Sequence, residues 1–220
     1  MVLPLSSWLN LASDFVPVGM GIGRKSYWRG GATLFFSFVV LCLVVEVASY
    51  ITGFLNINNH WILHIYDLLE YVILILLLAG WQKEAGHPLL QRLLYVSIGL
   101  FAILWIVAKV EFESFKRFDQ YTHTISALVL VAVSLFTLID LARNESLSAN
   151  REVPLYRTFK FWILVAVFSF FSGNTFLFGM GEMIIGLKFK DAVTVWTLHW
   201  WLNITANICY GVAFWCLKPR

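Results

Sequence analysis

Charge is what this chain lacks. Only 13% of its 220 residues are Asp, Glu, Lys or Arg, against roughly 25% in a soluble domain. With 60% hydrophobic residues and a mean hydropathy of +0.76, the chain would not stay in water. No polar stretch is long enough for a separate domain, so residues 1–220 read as one integral membrane domain without an appended catalytic module. Cysteine is also scarce. Cys42, Cys209 and Cys216 all fall in apolar runs, which excludes a disulfide framework and a CxxC metal pair. They read as small apolar packing residues. The first 23 residues hold no Lys or Arg, so the charged region of a secretory signal is missing, and no lipidation motif is evident. The net charge of +3 is small and its basic residues sit in short loops. That points to the lipid bilayer as partner and away from nucleic acid.

Long apolar runs are what the chain has. A span needs about 20 mostly apolar residues. Six segments qualify plainly, 29–53, 60–80, 89–110, 121–142, 158–185 and 193–217. A seventh, 3–23, is interrupted by Asn10, Ser13, Asp14 and Pro17. Gly19, Gly21 and Gly23 follow, at a spacing that lets helices approach closely. Basic residues orient the bundle. With the N-terminus outside, the inner side holds Arg24, Lys25, Arg29, Lys83, Arg92, Arg143, Arg151, Arg157, Lys160, Lys218 and Arg220. The outer side holds only Lys109, Lys116, Arg117, Lys188 and Lys190. Two glycosylation sequons, Asn144-Glu-Ser146 and Asn203-Ile-Thr205, fall in a cytoplasmic loop and mid-span, and are discounted.

The functional clue lies within the spans. Glu46, Asp67, Glu70, His199, Asn203 and Asn207 occupy positions where hydrocarbon would favour apolar residues. Intramembrane polar groups usually face a protein interior and mark a site or pathway. At about 1.5 Å of rise per residue, Glu46, Asp67 and His199 lie roughly 10 Å below the outer surface, and Glu70 and Asn203 about 15 Å below it. Helical spacing also groups them. His60, His64, Asp67 and Tyr71 form one stripe with Glu70 beside it, His199, Asn203 and Asn207 form another, and Cys42, Glu46, Ser49 and Gly53 share a face. Ser169, Ser172, Gly173, Asn174, Gly179, Gly181 and Gly186 interrupt the sixth span, and Glu182 lies among them. A discontinuous helix exposing backbone at a site and close helix packing both explain that pattern.

Three readings are open. The stripes line an outward-open pocket for a small polar ligand or a proton, with His64, Tyr71, Ser49 and Asn174 as secondary lining. Alternatively His60 or His64, His199 and a carboxylate such as Asp67 hold zinc, which suits imidazole and carboxylate ligands and supports hydrolysis. Or the polar groups are interhelical hydrogen bonds that hold the bundle. Lys109, Glu111 and Glu113 read as solvated outer-surface charges, with Lys109 alternatively reaching down to neutralise Glu70 or Glu46, and His123 reads as a shallow histidine. No Lys lies mid-span in the last segment, which argues against a retinal Schiff base, and no Ser-His-Asp set, phosphate loop or haem ligand pair is present.

The string Asn58-Asn59-His60-Trp61-Ile62-Leu63-His64-Ile65-Tyr66-Asp67-Leu68-Leu69-Glu70-Tyr71 looks like one in a group of small, uncharacterised bacterial seven-span membrane proteins. His199-x-x-x-Asn203-x-x-x-Asn207 resembles the last helix of the same group, and the similarity includes Glu46. The resemblance implies seven spans and a bacterial inner membrane, and no reaction. A weaker resemblance is to the alkaline-ceramidase-like membrane hydrolases, whose zinc is held by three histidines, two of them one turn apart in the last helix. Glu46-x-x-Ser49 resembles part of their second-span motif, but Asn203 and Gly53 stand where two of those histidines would be. Their site also faces the cytosol.

The sequence thus predicts an all-α polytopic membrane protein, a seven-transmembrane-helix bundle with N-terminus outside and C-terminus cytoplasmic. Its expected role is a non-enzymatic small-molecule sensor or carrier without a cofactor. A sensor would need a membrane or cytoplasmic protein partner, reached through 143–157. The alternatives are a metal-dependent membrane hydrolase and a structural subunit of a membrane complex.

Overall fold

The structure, a computed structural model, describes residues 4–115, 120–147, 154–180, 183–184 and 189–217. Regular structure among them is entirely helical. Seven long helices run α1 (Leu5–Gly23), α2 (Ala32–Phe54), α3 (His60–Glu84), α4 (Pro88–Glu111), α5 (Tyr121–Leu147), α6 (Phe159–Gly179) and α7 (Phe189–Trp215). Short one-turn helices precede α2 and α6. The breaks have local causes. Gly86 at φ 83° ends α3, and Pro88 opens α4 at its first turn, where its missing N–H costs nothing. Asn56 at φ 54° turns the chain between α2 and α3, a conformation that asparagine tolerates.

Five helices are long and apolar enough to cross a membrane, namely α2, α3, α4, the Tyr121–Arg143 part of α5, and α6. By helix length and hydropathy the chain is a multi-pass membrane protein. The helices α1 and α7 are not among the five. They carry Asn10, Ser13 and Asp14, and His199, Asn203 and Asn207, and the packing below shows where those polar groups go. A lipid setting also accounts for α4, whose Leu89, Leu93, Val96, Leu100, Ile103, Val107 and Val110 form an exposed apolar stripe at alternating steps of four and three. In water that stripe would be a liability.

Helix contacts close a ring. Each helix packs on the next in the order α1, α2, α3, α5, α6, α7, and α7 returns to α1, while α4 sits outside against α3 and α5. One half of the ring is filled. Phe35 meets Phe159, Tyr210 and Phe214 at centroid distances of 5.7, 5.0 and 5.5 Å, among Leu74, Leu78, Leu130 and Val167. Buried aromatic pairs of this kind add roughly 0.5–1.5 kcal/mol each beyond their area. The other half, at the end bearing the α2–α3 loop, is where the polar residues gather.

The sixth span differs from expectation. It was expected to run over 158–185, but α6 ends at Gly179, and Gly181, Glu182 and Gly186 lie outside the described residues. The helix is continuous through Ser169, Ser172, Gly173 and Asn174. Gly173 is explained by packing instead, because a Cβ there would sit 2.5 Å from Leu202 Cδ1 of α7. Gly211 of α7 likewise brings its backbone against Val16 of α1. Of the glycines closing α1, only Gly21 meets a neighbour, Phe36; Gly19 and Gly23 face open space. The polar loop 143–157 is described only in part, since 148–153 lie outside the described residues.

Candidate functional site

The polar residues of α1 and α7 face each other and a carboxylate of α2. Asn203 Nδ2 donates to Asn10 Oδ1 at 2.9 Å and to Asp14 Oδ1 at 3.5 Å. Asn207 Nδ2 donates to Asp14 Oδ1 at 2.5 Å and to Ser13 Oγ at 3.0 Å. Asn10 then passes its own Nδ2 to Glu46 Oε1 at 2.6 Å. These amides lower the hydropathy of both helices, and in the fold they satisfy each other across the seam. Asn10, Ser13 and Asp14, expected only to weaken the first span, are central to this network. Their spacing of three and four residues was the available signal.

A second set joins α2, α3 and α5. Tyr66 Oη donates to Glu70 Oε1 at 2.6 Å, and Cys42 Sγ lies 3.2 Å from the same hydroxyl. Behind them His123 Nδ1 is 3.0 Å from Asp67 Oδ1, which also accepts from Ser126 Oγ at 2.9 Å. Asp67, Glu70 and His123 are all buried, and one ligating atom of each lies within 4.8 Å of the others. His123, read from sequence as merely shallow, is therefore part of the site, with its ring stacked 3.7 Å from Phe178.

His199 forms the third set. Its Nδ1 lies 2.8 Å from the Asn174 amide oxygen, so Nδ1–H donates there and Nε2 is the acceptor of the neutral ring. Phe170, Phe178 and Trp196 surround the imidazole at 5.5–5.9 Å.

Between these sets lies a cavity of about 160 Å³. Every helix of the ring contributes to it and α4 does not. Asp14 comes from α1, Cys42 and Glu46 from α2, Leu63, Tyr66 and Glu70 from α3, and His123 from α5. The remaining wall is Phe170 and Phe178 of α6 with Trp196, His199, Asn203 and Asn207 of α7, over a floor of Phe38 and Tyr210. A second, wider cleft of about 430 Å³ adjoins it, with Ser49, Gly53, Asn56 and Asn59 toward the α2–α3 loop. The two share Glu46, Leu63, Trp196 and His199, so these residues stand between cavity and cleft.

Not every expected residue reaches this space. Glu46, Glu70, His199, Asn203 and Asn207 border the cavity, and Ser49 the cleft. Asp67 stands behind the wall on His123, and Asn174 holds His199. His64 and Tyr71 turn away. The His64 ring meets Phe115 edge-on at 5.3 Å, and Tyr71 lies 4.1 Å from Phe101 and bonds Ser97. The expected zinc set of His60, His64, His199 and Asp67 does not assemble; among the described residues Asp67, Glu70 and His123 are the candidate cluster. The side chains of Lys109 and Glu113, expected to be solvated, are instead 3% exposed each and paired at 2.5 Å. Glu113 also accepts the Tyr121 and Thr122 backbone N–H groups at the start of α5. Comparison with known families, curated proteins and solved structures gives no match for this chain.

Proposed function

We propose that the protein is a seven-span membrane receptor or carrier whose cavity binds a small polar molecule entering from the outer face. The supporting observation is the interior cavity, a largely apolar space with convergent polar groups, lined from all six ring helices and adjoined by a cleft at one end of the bundle. Ligand sites in helical bundles sit in such interior spaces with a few convergent polar groups. Asn203 and Asn207 of α7 bond Asn10 and Asp14 of α1, which favours crossing by these two helices as well. Arg24, Lys83, Arg92 and Lys160 belong to the opposite end, so that end is cytoplasmic, the cleft faces outward and the N-terminus is outside. In a sensor, ligand-dependent packing of α7 on α1 and α6 would be read by a partner through 143–157.

The test is a thermal-shift screen of small polar solutes on the detergent-purified chain, followed by uptake into proteoliposomes. A solute that raises the melting temperature in the wild type and not in His199→Ala or Glu46→Gln supports the reading, and uptake lost in Glu70→Gln assigns a carrier. Shifts that persist unchanged in both variants would contradict it.

One observation favours a second reading. The Asp67, Glu70 and His123 donors lie close enough to be drawn onto one divalent ion, a set that suits zinc and metal-assisted hydrolysis.

A further inference from the structure

We propose that the cavity is a receptor site for a small organic cation, a protonated or quaternary amine. This rests on the pocket reading above and adds the chemical class of the ligand. The first ground is charge. Asp14, Glu46 and Glu70 border the cavity together with His123 and His199, and among the described residues no Lys or Arg borders the cavity or the cleft. None of the three carboxylates is in a salt bridge among the described residues, where Lys109 and Lys160 are taken by Glu113 and Glu84. Asp14 is 3% exposed, and its Oδ2 has no hydrogen-bond partner. Three carboxyl groups gathered there, with no Lys or Arg among the described lining residues, favour a cation in the adjoining space.

The second ground is the direction of the hydrogen bonds. The Nδ2 donors of Asn203 and Asn207 are spent on Asn10, Asp14 and Ser13, and the Tyr66 hydroxyl is spent on Glu70. His199 spends its Nδ1–H on Asn174 and keeps an acceptor nitrogen. Acceptors therefore outnumber donors around a ligand, with the Tyr210 hydroxyl the donor left on the floor, a balance that suits an ammonium better than a carboxylate or phosphate. The third ground is the apolar wall. Tyr66, Phe170, Phe178 and Trp196 line the sides and Phe38 and Tyr210 the floor, and aromatic faces attract cations within about 6 Å. The volume of about 160 Å³ matches a ligand on the scale of benzene.

Cys42 supplies the test, because its thiol borders the cavity. The experiment uses the full chain in detergent with Cys209 and Cys216 replaced by alanine. Its probes are neutral, trimethylammonium and sulfonate methanethiosulfonates of similar size. Rates are referred to those of a free thiol in solution. The expected result is modification by the neutral reagent together with a cationic-over-anionic rate ratio at least about tenfold above the free-thiol ratio. Choline should protect Cys42, and its neutral isostere, with a tert-butyl group for the trimethylammonium, should not. The ratio should shrink in Glu46→Gln. Labelling by the neutral reagent with a free-thiol ratio, or equal protection by the isostere, overturns the cation inference and leaves the pocket standing. Failure of the neutral reagent on the folded chain, with full labelling after unfolding, overturns both.

Discussion

Asn207 of α7 donates to Asp14 of α1 at 2.5 Å, so the last helix is bonded to the first across the seam that closes the ring. Asn207 also holds Ser13, while Asn203 one turn away holds Asn10. Interhelical hydrogen bonds in membranes are worth about 0.6–2 kcal/mol each, and a buried partner left unsatisfied costs about 1–3 kcal/mol. Asn207→Leu should therefore lower unfolding stability in mixed micelles by about 1–3 kcal/mol. Adding Asp14→Leu should cost less than the sum of the two single changes. Additive losses would mean that the pair does not interact.

Gly173 tests whether α6 is continuous. A Cβ at this position overlaps Leu202, whose Cδ1, Cδ2 and Cγ lie at 2.5, 2.9 and 3.3 Å. Overpacking of this kind costs about 1–3 kcal/mol, so Gly173→Val should destabilise by that amount and Leu202→Ala should restore part of it. If Gly173 served instead as a helix break, Leu202→Ala would give no relief.

Lys109 and Glu113 form a buried pair, and Thr122 Oγ1 accepts from Lys109 at 2.9 Å and donates to Glu113 at 2.9 Å. Removing one member of such a pair leaves a buried charge, at a cost of about 3–5 kcal/mol. Lys109→Met should approach that loss in a thermal or denaturant melt, whereas the double change Lys109→Met with Glu113→Gln should recover much of it. A melt of Lys109→Met equal to wild type would place the pair in solvent.

The metal reading separates from the pocket reading by elemental mass spectrometry. Asp67 Oδ1 already meets Ser126 and His123, and Glu70 meets Tyr66, so the purified chain is expected to hold well under one zinc per chain, unchanged by His123→Ala. Stoichiometric zinc lost in that variant would put metal-assisted hydrolysis first.

Much of the fold was legible because apolar run length and helical rise set the spans, and α3 and α4 begin within a residue of the segments read from sequence. The stripe on α7 and the face shared by Cys42, Glu46, Ser49 and Gly53 both border the cavity or the cleft. On α3 the reading went astray for a physical reason. Periodicity says which residues share a face but not which helix that face meets. The stripe of His64, Asp67 and Tyr71 turns toward α4 and α5, and Leu63, Tyr66 and Glu70 face the cavity. The α1 network was hidden by the same property that identified the spans, since Asn10, Ser13 and Asp14 lower hydropathy before they can be seen to satisfy Asn203 and Asn207.

In the proposed function a ligand passes from the cleft to the interior cavity through a neck between Glu46, Leu63, Trp196 and His199, the residues that line both spaces. The most direct test of this passage is the rate at which a neutral thiol reagent modifies Cys42 in chains with and without Leu63→Trp, both lacking Cys209 and Cys216 and matched in melting temperature. A bulky ring at residue 63 should slow modification by about tenfold or more, equivalent to about 1.4 kcal/mol of added barrier. An unchanged rate would contradict entry through the neck and the ligand path that depends on it.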